Sequence, residues 1–198
     1  MTRLPTDERR RQIADATLKI IAEQGLGRFT TAAIAAEIGV TDGSLFRHFG
    51  SKDEIVLAAL DRAEERLFEG FPPEDPDPLA RLERFFRQRA ALVREAPVIA
   101  RLAFSEELPH AAGRQGAAQV EGWKTRSLGF VVGCLDEAVT RGQAPAGLPT
   151  RALALIVLGS LMALARLGGA PEQTEQVWGL LAKTWALSPE HPRQEGGT

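Results

Sequence analysis

The sequence is poor in residues that several classes of protein need. It has one cysteine, Cys134, which excludes an internal disulfide framework and is typical of a reducing compartment. Its three histidines, at positions 48, 110 and 191, lie in unrelated contexts, and no HExxH, GxSxG or P-loop pattern occurs. We therefore predict that the chain is not an enzyme, with no catalytic residue, no metal site and no cofactor.

Other absences narrow the fold and the location. No segment has the pattern of a strand, and helical periodicity continues along the whole chain, so we predict an all-α protein. The N-terminus, Met-Thr-Arg followed by a charged helix, does not resemble a signal peptide, and we expect a cytoplasmic, nucleoid-associated protein. Around Cys134 the run GFVVGCL favours a small buried side chain over the alternative of a thiol sensor.

Residues 30–52, TTAAIAAEIGVTDGSLFRHFGSK, carry the most informative pattern in the chain. Thr30 or Thr31 is predicted to cap a first short helix, because a threonine hydroxyl can accept from an unpaired backbone N–H. Ile34 and Ile38 lie four residues apart and form the buried face of that helix. A glycine follows where the helix must stop, which predicts a tight turn.

A second short helix is predicted after that turn. Thr41 is its expected cap, and Leu45 and Phe49 face inward at a spacing of four. The outward positions are Asp42, Gly43, Ser44, Arg47 and His48. Two helices around a turn, with one polar outer face, are typical of the helix-turn-helix of DNA-binding proteins. The alternative is a helical pair in another all-α core, in which these residues only cap and solvate helices.

These residues resemble the DNA-binding region of the TetR family of bacterial transcriptional regulators. The matching signature is TT…IA…GVT…LF.HF.SK, preceded by RRRQIADATLKIIAEQGL. Close agreement covers the first quarter of the chain, and the rest agrees in its helical plan. Phe46 stands where the family often has tyrosine, and the chain contains no tyrosine, so a phenol that would reach a phosphate is missing.

The candidate DNA contacts differ in their expected roles. Arg47 is predicted to read a base, since a guanidinium can bind guanine through two hydrogen bonds. Asp42 and Ser44 could add base-edge or water-mediated contacts, and Gly43 lets the backbone approach DNA. The resemblance implies phosphate contacts for His48 and Lys52. Thr31 and Thr41 could contact phosphates or only cap their helices. The full predicted set is Thr31, Thr41, Asp42, Gly43, Ser44, Phe46, Arg47, His48 and Lys52.

The charge distribution is consistent with a DNA-binding region in the first 52 residues. The net charge is −2, yet residues 1–52 carry eight Lys/Arg against six Asp/Glu. The basic excess therefore lies in the segment with the DNA-binding pattern. A cluster of three arginines, Arg9 to Arg11, opens the first helix and could contact phosphates or simply be a solvated helix start.

The run FPPEDPDP at 71–78 divides the chain, because prolines remove backbone donors and restrict their neighbours. Before it we place a helix-turn-helix domain, 1–52, with a connecting helix, 53–70. After it we place an effector-binding and dimerisation domain, 79–190, and a disordered tail, 191–198. The predicted helices, about nine in total, include 98–107 and a helix capped by Thr150.

The segment ALALIVLGSLMALA, 152–165, is apolar on every side. It is shorter than the roughly 20 residues of a membrane span, so no membrane is expected and burial against a second subunit is favoured. The resemblance implies a homodimer formed by this helix and the last one, which would read a near-palindromic DNA operator. The predicted interface is Ile156, Gly159, Ser160, Ala163, Val177, Trp178, Leu181 and Trp185. The alternative is that both helices are simply core.

The resemblance also implies a pocket for a small effector in the C-terminal domain. The candidate lining residues are Phe85, Phe86, Arg89, Phe104, Trp123, Arg126 and Phe130, which would suit a mainly hydrophobic or aromatic ligand with an arginine as polar handle. Each aromatic residue alone is more often core. The resulting function is a ligand-responsive homodimeric repressor. The alternatives are an activator, or a DNA-bound scaffold of the nucleoid-occlusion type that recruits a protein partner.

Overall fold

The computed structural model describes residues 6–25, 29–99 and 113–186, and over these ranges all regular secondary structure is helical. The helices are α1 (Thr6–Gln24), α2 (Thr31–Glu37), α3 (Asp42–Leu45), α4 (Lys52–Leu67), α5 (Pro78–Glu95), α6 (Gly113–Thr140), α7 (Thr150–Leu167) and α8 (Pro171–Trp185). The predicted all-α class is confirmed. Most of the helix predicted over 98–107 lies outside the described residues, as does the predicted tail.

The first three helices pack with α4 around one small core. α1 runs along α4, and α2 contacts both α1 and α3. Ile13, Ile34, Leu45, Ile55 and Leu60 are among the side chains buried there. The same core continues into α6 through Val120 and Trp123, so the helix that follows the recognition segment also packs on the C-terminal helices.

Local hydrogen bonds explain where the short helices begin and end. Thr30 caps α2, because its hydroxyl accepts from the Ala33 N–H at 3.1 Å, which confirms that half of the prediction. Ser51 caps α4 by accepting from Glu54 N–H at 3.2 Å. Gly39 follows α2 at a φ of +69°, a left-handed conformation that favours glycine.

Two predicted caps are wrong in detail. Thr41 occupies the cap position of α3 with extended backbone, but its hydroxyl makes no capping hydrogen bond. Thr150 is the first residue of α7 instead of its cap, because Pro149 precedes it in that position. A threonine before an apolar run indicates a helix start to within one residue, while the actual hydrogen bond depends on its rotamer.

The connecting helix, predicted over 53–70, is shorter than expected and ends before the proline-rich segment 71–78. α4 ends at Leu67, and α5 begins at Pro78, where a missing N–H costs no helical hydrogen bond. Asp77 caps α5 by accepting from the Leu79 N–H at 3.1 Å. From there α5, α6 and α7 pack on one another, and α8 covers α5 and α7. Their core includes Phe86 and Leu135.

The apolar helix α7 is only partly covered within one protomer. Val157 and Leu161 point into the core, whereas Leu155 and Ile156 are 58% and 54% exposed. Of the described helices, α7 alone is long and apolar enough to cross a membrane by length and composition, a test that core helices of soluble proteins also pass. Its exposed side therefore presents an apolar surface that a single protomer leaves uncovered.

Part of the predicted dimer interface is corrected by this packing. Trp178, Leu181 and Trp185 are 7%, 5% and 3% exposed, because they fill the core of their own protomer. Trp178 packs its ring 5.4 Å from Phe86. These three side chains have little surface left for a partner, and on α8 the exposed apolar residue is Leu180.

Candidate DNA-binding segment and ligand cavity

The recognition segment, residues 41–50, is one tight helical turn that loosens before the next helix. α3 is helical only over Asp42–Leu45, shorter than the predicted helix that ran on to Phe49. His48 and Phe49 still donate to the Leu45 carbonyl at 2.9 and 3.1 Å. The chain then becomes extended at Ser51, because that residue must cap α4.

The inward and outward sides of this segment match the sequence pattern. Leu45 and Phe49 are buried, and they fix the turn against α1 and α4. Thr41, Asp42, Gly43, Phe46 and Arg47 are exposed, while Ser44 and His48 are half-buried. The exposed set lies within seven consecutive residues, so one small surface carries the predicted base-reading groups.

Two basic side chains make contacts at the edges of the DNA-binding region, and one of them holds the recognition segment. Arg10 of α1 donates to the His48 carbonyl, and its guanidinium lies 4.1 Å from the centre of the Phe49 ring. Lys52 donates to the Phe29 carbonyl at 2.9 Å and lies over the Phe29 ring. Arg10 therefore helps to hold the recognition segment, a role that its place in an arginine cluster did not reveal.

Two side chains that are predicted to contact phosphate, those of His48 and Lys52, have only some of their hydrogen-bonding groups available to DNA. The Nδ1 atom of His48 is buried and has no hydrogen-bond partner among the described residues, so it is not the nitrogen that would meet a phosphate. Lys52 donates one of its three ammonium protons to the Phe29 carbonyl, which leaves two for another acceptor. Thr31 is the first residue of α2 and is half-buried.

A second candidate site is an apolar cavity of about 100 Å³ between α4, α5, α6 and α7. Three predicted pocket residues, Phe85, Arg89 and Trp123, line it. The complete lining is Leu67, Phe85, Arg89, Leu92, Val93, Trp123, Lys124, Ser127, Leu158 and Leu161. Its aliphatic members were not predicted, because leucine and valine on amphipathic helices carry no mark that separates a cavity wall from a filled core.

The other predicted pocket residues do not line this cavity. Phe86 is fully buried against Trp178, which makes it a core residue and corrects the prediction. Phe130 packs its ring 5.0 Å from Phe71 and borders a separate opening by the proline-rich segment. Arg126 stacks on neighbouring aromatic rings instead of entering the cavity, and Phe104 lies outside the described residues.

Arg89 is the most unusual group in the cavity wall. It is 8% exposed, and its Nη1 atom donates to the Leu67 carbonyl at the end of α4. Its Nη2 atom is buried and has no hydrogen-bond partner among the described residues. Burial, together with the nearby charge of Arg126, lowers the pKa of Arg89 to about 10, which keeps the side chain charged at neutral pH.

Aromatic rings surround the two arginines. The Arg89 guanidinium lies 4.8 Å from the ring centre of Phe68, and Arg126 lies 4.1 Å from the same ring. Both arginines also approach Phe71, at 5.7 and 4.8 Å. Among the described residues, no carboxylate lies within 4.0 Å of either guanidinium, so ring faces take the place of counter-ions.

Cys134 is buried in the second core, which confirms the prediction of a small buried side chain. Burial raises the pKa of its thiol, although Arg81 nearby acts in the opposite direction. A raised pKa leaves little thiolate at neutral pH, and the thiolate is the reactive form.

Comparisons with known proteins agree with the DNA-binding pattern. A family profile described as bacterial regulatory proteins, tetR family, matches residues 13–59, from α1 into α4. The nucleoid occlusion factor SlmA of Pasteurella multocida is 40% identical over 62 residues, which cover 31% of this chain and 31% of that protein. The chain spans between about a third and a half of the length of such factors that it matches.

Two other similarities extend over nearly the whole chain. The HTH-type transcriptional regulator SrpR of Pseudomonas putida is 28% identical over 207 residues, covering 97% of this chain and 91% of that protein. The solved structure of the ketosteroid transcriptional regulator KstR2 of Mycobacterium tuberculosis has a TM-score of 0.73 at 20% identity, covering 91% and 96% of the two chains. That structural likeness shows a shared fold over the part of the chain that it covers.

Proposed function

We propose that this chain, which belongs to the TetR family of bacterial regulatory proteins, binds a near-palindromic DNA operator as a homodimer and represses transcription until a small effector binds. The observation that carries the proposal is the recognition segment. Its buried Leu45 and Phe49 fix one turn, and its opposite side exposes Arg47 beside small polar residues. DNA reading is assigned to residues 1–52, joined through 53–70 to effector binding and dimerisation in 79–190.

Arg47 is the principal base-reading group in this proposal. Its side chain is exposed, and among the described residues it has no ion-pair partner that DNA would have to displace. Asp42 and Ser44 flank it, and Gly43 offers bare backbone for close approach. Phosphate contacts are assigned to Thr31, Thr41, His48 and Lys52, with Phe46 giving only apolar contact. Phosphate contacts orient the protein, whereas base contacts give sequence preference.

The exposed side of α7 supports dimerisation. Leu155 and Ile156 lie there with the small residues Gly159 and Ala163, and Ser160 turns its hydroxyl back to the Ile156 carbonyl at 2.8 Å. On α8, Leu180 is 66% exposed beside the half-buried Val177. An apolar surface of this kind is typical of a subunit interface. A dimer would place two recognition segments on one DNA, and we therefore expect a near-palindromic site.

The cavity beside Arg89 is the proposed effector site. Its lining is mainly aliphatic and aromatic, which suits a mainly hydrophobic or aromatic effector. α4 forms one wall through Leu67 and also follows the recognition segment, so a ligand there touches the helix that carries the DNA-binding domain. A ligand shifts DNA affinity only if it binds the two conformations with different affinities.

A DNA-bound scaffold is the second candidate function, favoured by the similarity to nucleoid occlusion factors. That similarity covers about 31% of the chain, so it supports DNA binding more than recruitment of a protein partner. The full-length similarity to SrpR favours the regulator. A protein partner that binds only the DNA-bound form, with a cavity that takes no ligand, would favour the scaffold instead.

Selection of bound DNA from a random pool tests the proposed function directly. The full chain is expected to enrich a site with two inverted half-sites about one helical turn apart. Arg47→Ala serves as the matched variant, because it removes an exposed side chain without touching the core. An unenriched pool, or an enriched site with a single half, would contradict dimeric sequence-specific reading.

A further inference from the structure

Two residues that line the cavity, Arg89 and Trp123, each have a buried N–H group without an acceptor among the described residues. Arg89 Nη2 and Trp123 Nε1 are both buried, and neither has a partner among the described residues. Arg89 and Trp123 lie on facing helices, α5 and α6, and both line the cavity. A buried N–H without an acceptor raises the free energy of the folded state, and most native structures avoid it.

The charge around these donors is positive. Arg126 on α6 is close enough to lower the pKa of Arg89, and Lys124 lines the cavity while pairing with Glu121 at 3.5 Å. Two carboxylates, Glu69 and Glu95, line an adjoining opening that Arg89 also borders. Both are exposed, and neither lies within 4.0 Å of the guanidinium. The described residues therefore leave the cation unneutralised.

We propose that the cavity binds a hydrophobic monocarboxylate, whose carboxylate accepts from Arg89 Nη2 and Trp123 Nε1. The hydrocarbon part lies against Phe85, Leu92 and Leu161. The inference rests on the proposed function in that it names the chemical class of the effector. A neutral hydrophobic ligand would fill the same space but leave both donors unsatisfied and the cation unpaired.

The size and donor set of the cavity favour a small carboxylate. At about 100 Å³ it is somewhat smaller than the roughly 150 Å³ apolar cavity that accepts benzene in an engineered protein, so it takes one ring or a short chain. A planar carboxylate has two acceptor oxygens and can accept from two donors at once. A phosphate carries more charge and more acceptor oxygens than these two donors satisfy.

Arg89 also connects the cavity to the DNA-binding part of the chain. Arg89 lines the cavity, and its Nη1 atom donates to the carbonyl of Leu67, the last residue of α4. An anion at Nη2 neutralises and repositions the group that holds the end of α4. Because α4 begins at Lys52, directly after the recognition segment, occupancy of the cavity acts on the helix that positions Arg47.

Matched acids and amides test the inference with the full chain. We would titrate hexanoate and phenylacetate, and in parallel hexanamide and phenylacetamide, into the protein by calorimetry at neutral pH. Each acid is expected to bind roughly tenfold to a hundredfold more tightly than its amide, since hydrogen bonds to charged groups are the stronger ones. Inorganic phosphate alone is expected to bind more weakly than either acid.

Three variants locate the carboxylate. Arg89→Gln should remove the preference for the acid, and Trp123→Phe should lower the affinity for the acid while leaving the ring in place. Arg114→Gln is the control, because it removes an exposed charge on α6 that does not line the cavity and should keep the preference. If Arg89→Gln does not fold, as judged by circular dichroism, comparison of Trp123→Phe with Arg114→Gln still decides the question.

Equal affinity for acids and amides would overturn the inference. Loss of the preference in Arg114→Gln would also overturn it, as would tighter binding of phosphate than of either acid, or no binding of either acid at about millimolar concentration. Failure here is distinguishable from failure of the proposed function, because the titration needs no DNA and the DNA selection needs no ligand. Tight acid binding that leaves DNA affinity unchanged would establish the site and reject its effector role.

Discussion

Arg47 and Arg89 are both arginines without a carboxylate partner among the described residues, yet their surroundings are opposite. Arg47 is exposed on a single helical turn, where water satisfies its donors until DNA replaces that water. Arg89 is 8% exposed, between aromatic rings, and one of its nitrogens has no hydrogen-bond partner among the described residues. The exposed guanidinium of Arg47 costs the folded protein little free energy, whereas the buried guanidinium of Arg89 raises the free energy of the folded, unliganded protein.

The difference indicates two kinds of binding. A phosphate or base that meets Arg47 must outcompete water and salt, so its contribution is modest and falls with ionic strength. An anion that meets Arg89 relieves an existing penalty in a mainly apolar cavity, where charge interactions are stronger. Removing Arg47 should therefore affect DNA alone, whereas changes in the C-terminal region should alter ligand binding or assembly.

The largest effect on DNA binding is expected from separating the two protomers. Ile156→Glu places a charge on the exposed apolar side of α7, and we expect the homodimer to dissociate in sedimentation velocity. Operator affinity should fall by about 10² to 10⁴-fold, because the second recognition segment no longer binds at high effective concentration. Ala118→Glu, at an exposed position on α6, is the control and should leave the dimer intact. A variant that stays dimeric would place the interface elsewhere.

The next largest effect distinguishes a residue that stabilises the recognition segment from one that contacts DNA. Leu45→Ala removes a fully buried side chain, and we expect a loss of about 2 to 5 kcal/mol in the free energy of unfolding, measured in urea. Arg47→Ala, two residues away and exposed, should change that free energy by less than about 0.5 kcal/mol. Similar losses in both variants would show that Arg47 is a structural residue.

Gly43→Ala sharpens the distinction between stability and DNA contact. A Cβ added at Gly43 would meet no heavy atom within 4 Å, so the free protein has room for it. Alanine favours helix over glycine by up to about 1 kcal/mol, and stability should hold or rise. DNA affinity should nevertheless fall by about 1 kcal/mol, because the methyl group occupies space that the proposal assigns to DNA.

Gly133→Ala is the matched control for that substitution. Gly133 is an exposed helical glycine on α6, also with no heavy atom near the added Cβ, and its replacement should leave DNA affinity unchanged. Unaltered DNA affinity in Gly43→Ala would mean that the backbone of α3 does not approach DNA.

The smallest expected effect concerns the missing tyrosine. Phe46 is 45% exposed on the recognition segment, so a hydroxyl added by Phe46→Tyr would reach outward without disturbing the core. We expect DNA affinity to rise by about 0.5 to 1.5 kcal/mol through one additional hydrogen bond to a phosphate. Phe46→Leu should give no such gain, and a Phe46→Tyr variant that binds like the parent protein would remove Phe46 from the DNA-facing set.

The recognition segment was predictable because its constraints are local. Leu45 and Phe49 at a spacing of four leave only one way for a short helix to bury both, and the intervening residues then face outward. Gly39 and Ser51 mark its limits through backbone conformation and capping, which depend on neighbours in sequence. The length of α3 was overestimated, because the extended backbone that Ser51 needs shortens the preceding helix.

The cavity and the uncovered surface depend on packing between distant segments, which the sequence pattern does not contain. α7 is apolar all round, so nothing in it distinguishes Leu161, which faces the core, from Ile156, which faces outward. For the same reason Trp178 was assigned to a dimer interface but fills the protomer core. Arg89 was predicted as a polar handle, but its unpaired nitrogen became evident only from the packing around it.

The central claim is that the recognition segment reads DNA sequence through Arg47. We would measure fluorescence anisotropy of the selected operator, and of single-base variants of each half-site, with the parent protein and Arg47→Ala at one fixed salt concentration. We expect Arg47→Ala to lose about 1 to 3 kcal/mol of affinity and to discriminate no longer at one position in each half-site. Unchanged affinity together with unchanged discrimination at every position would contradict it.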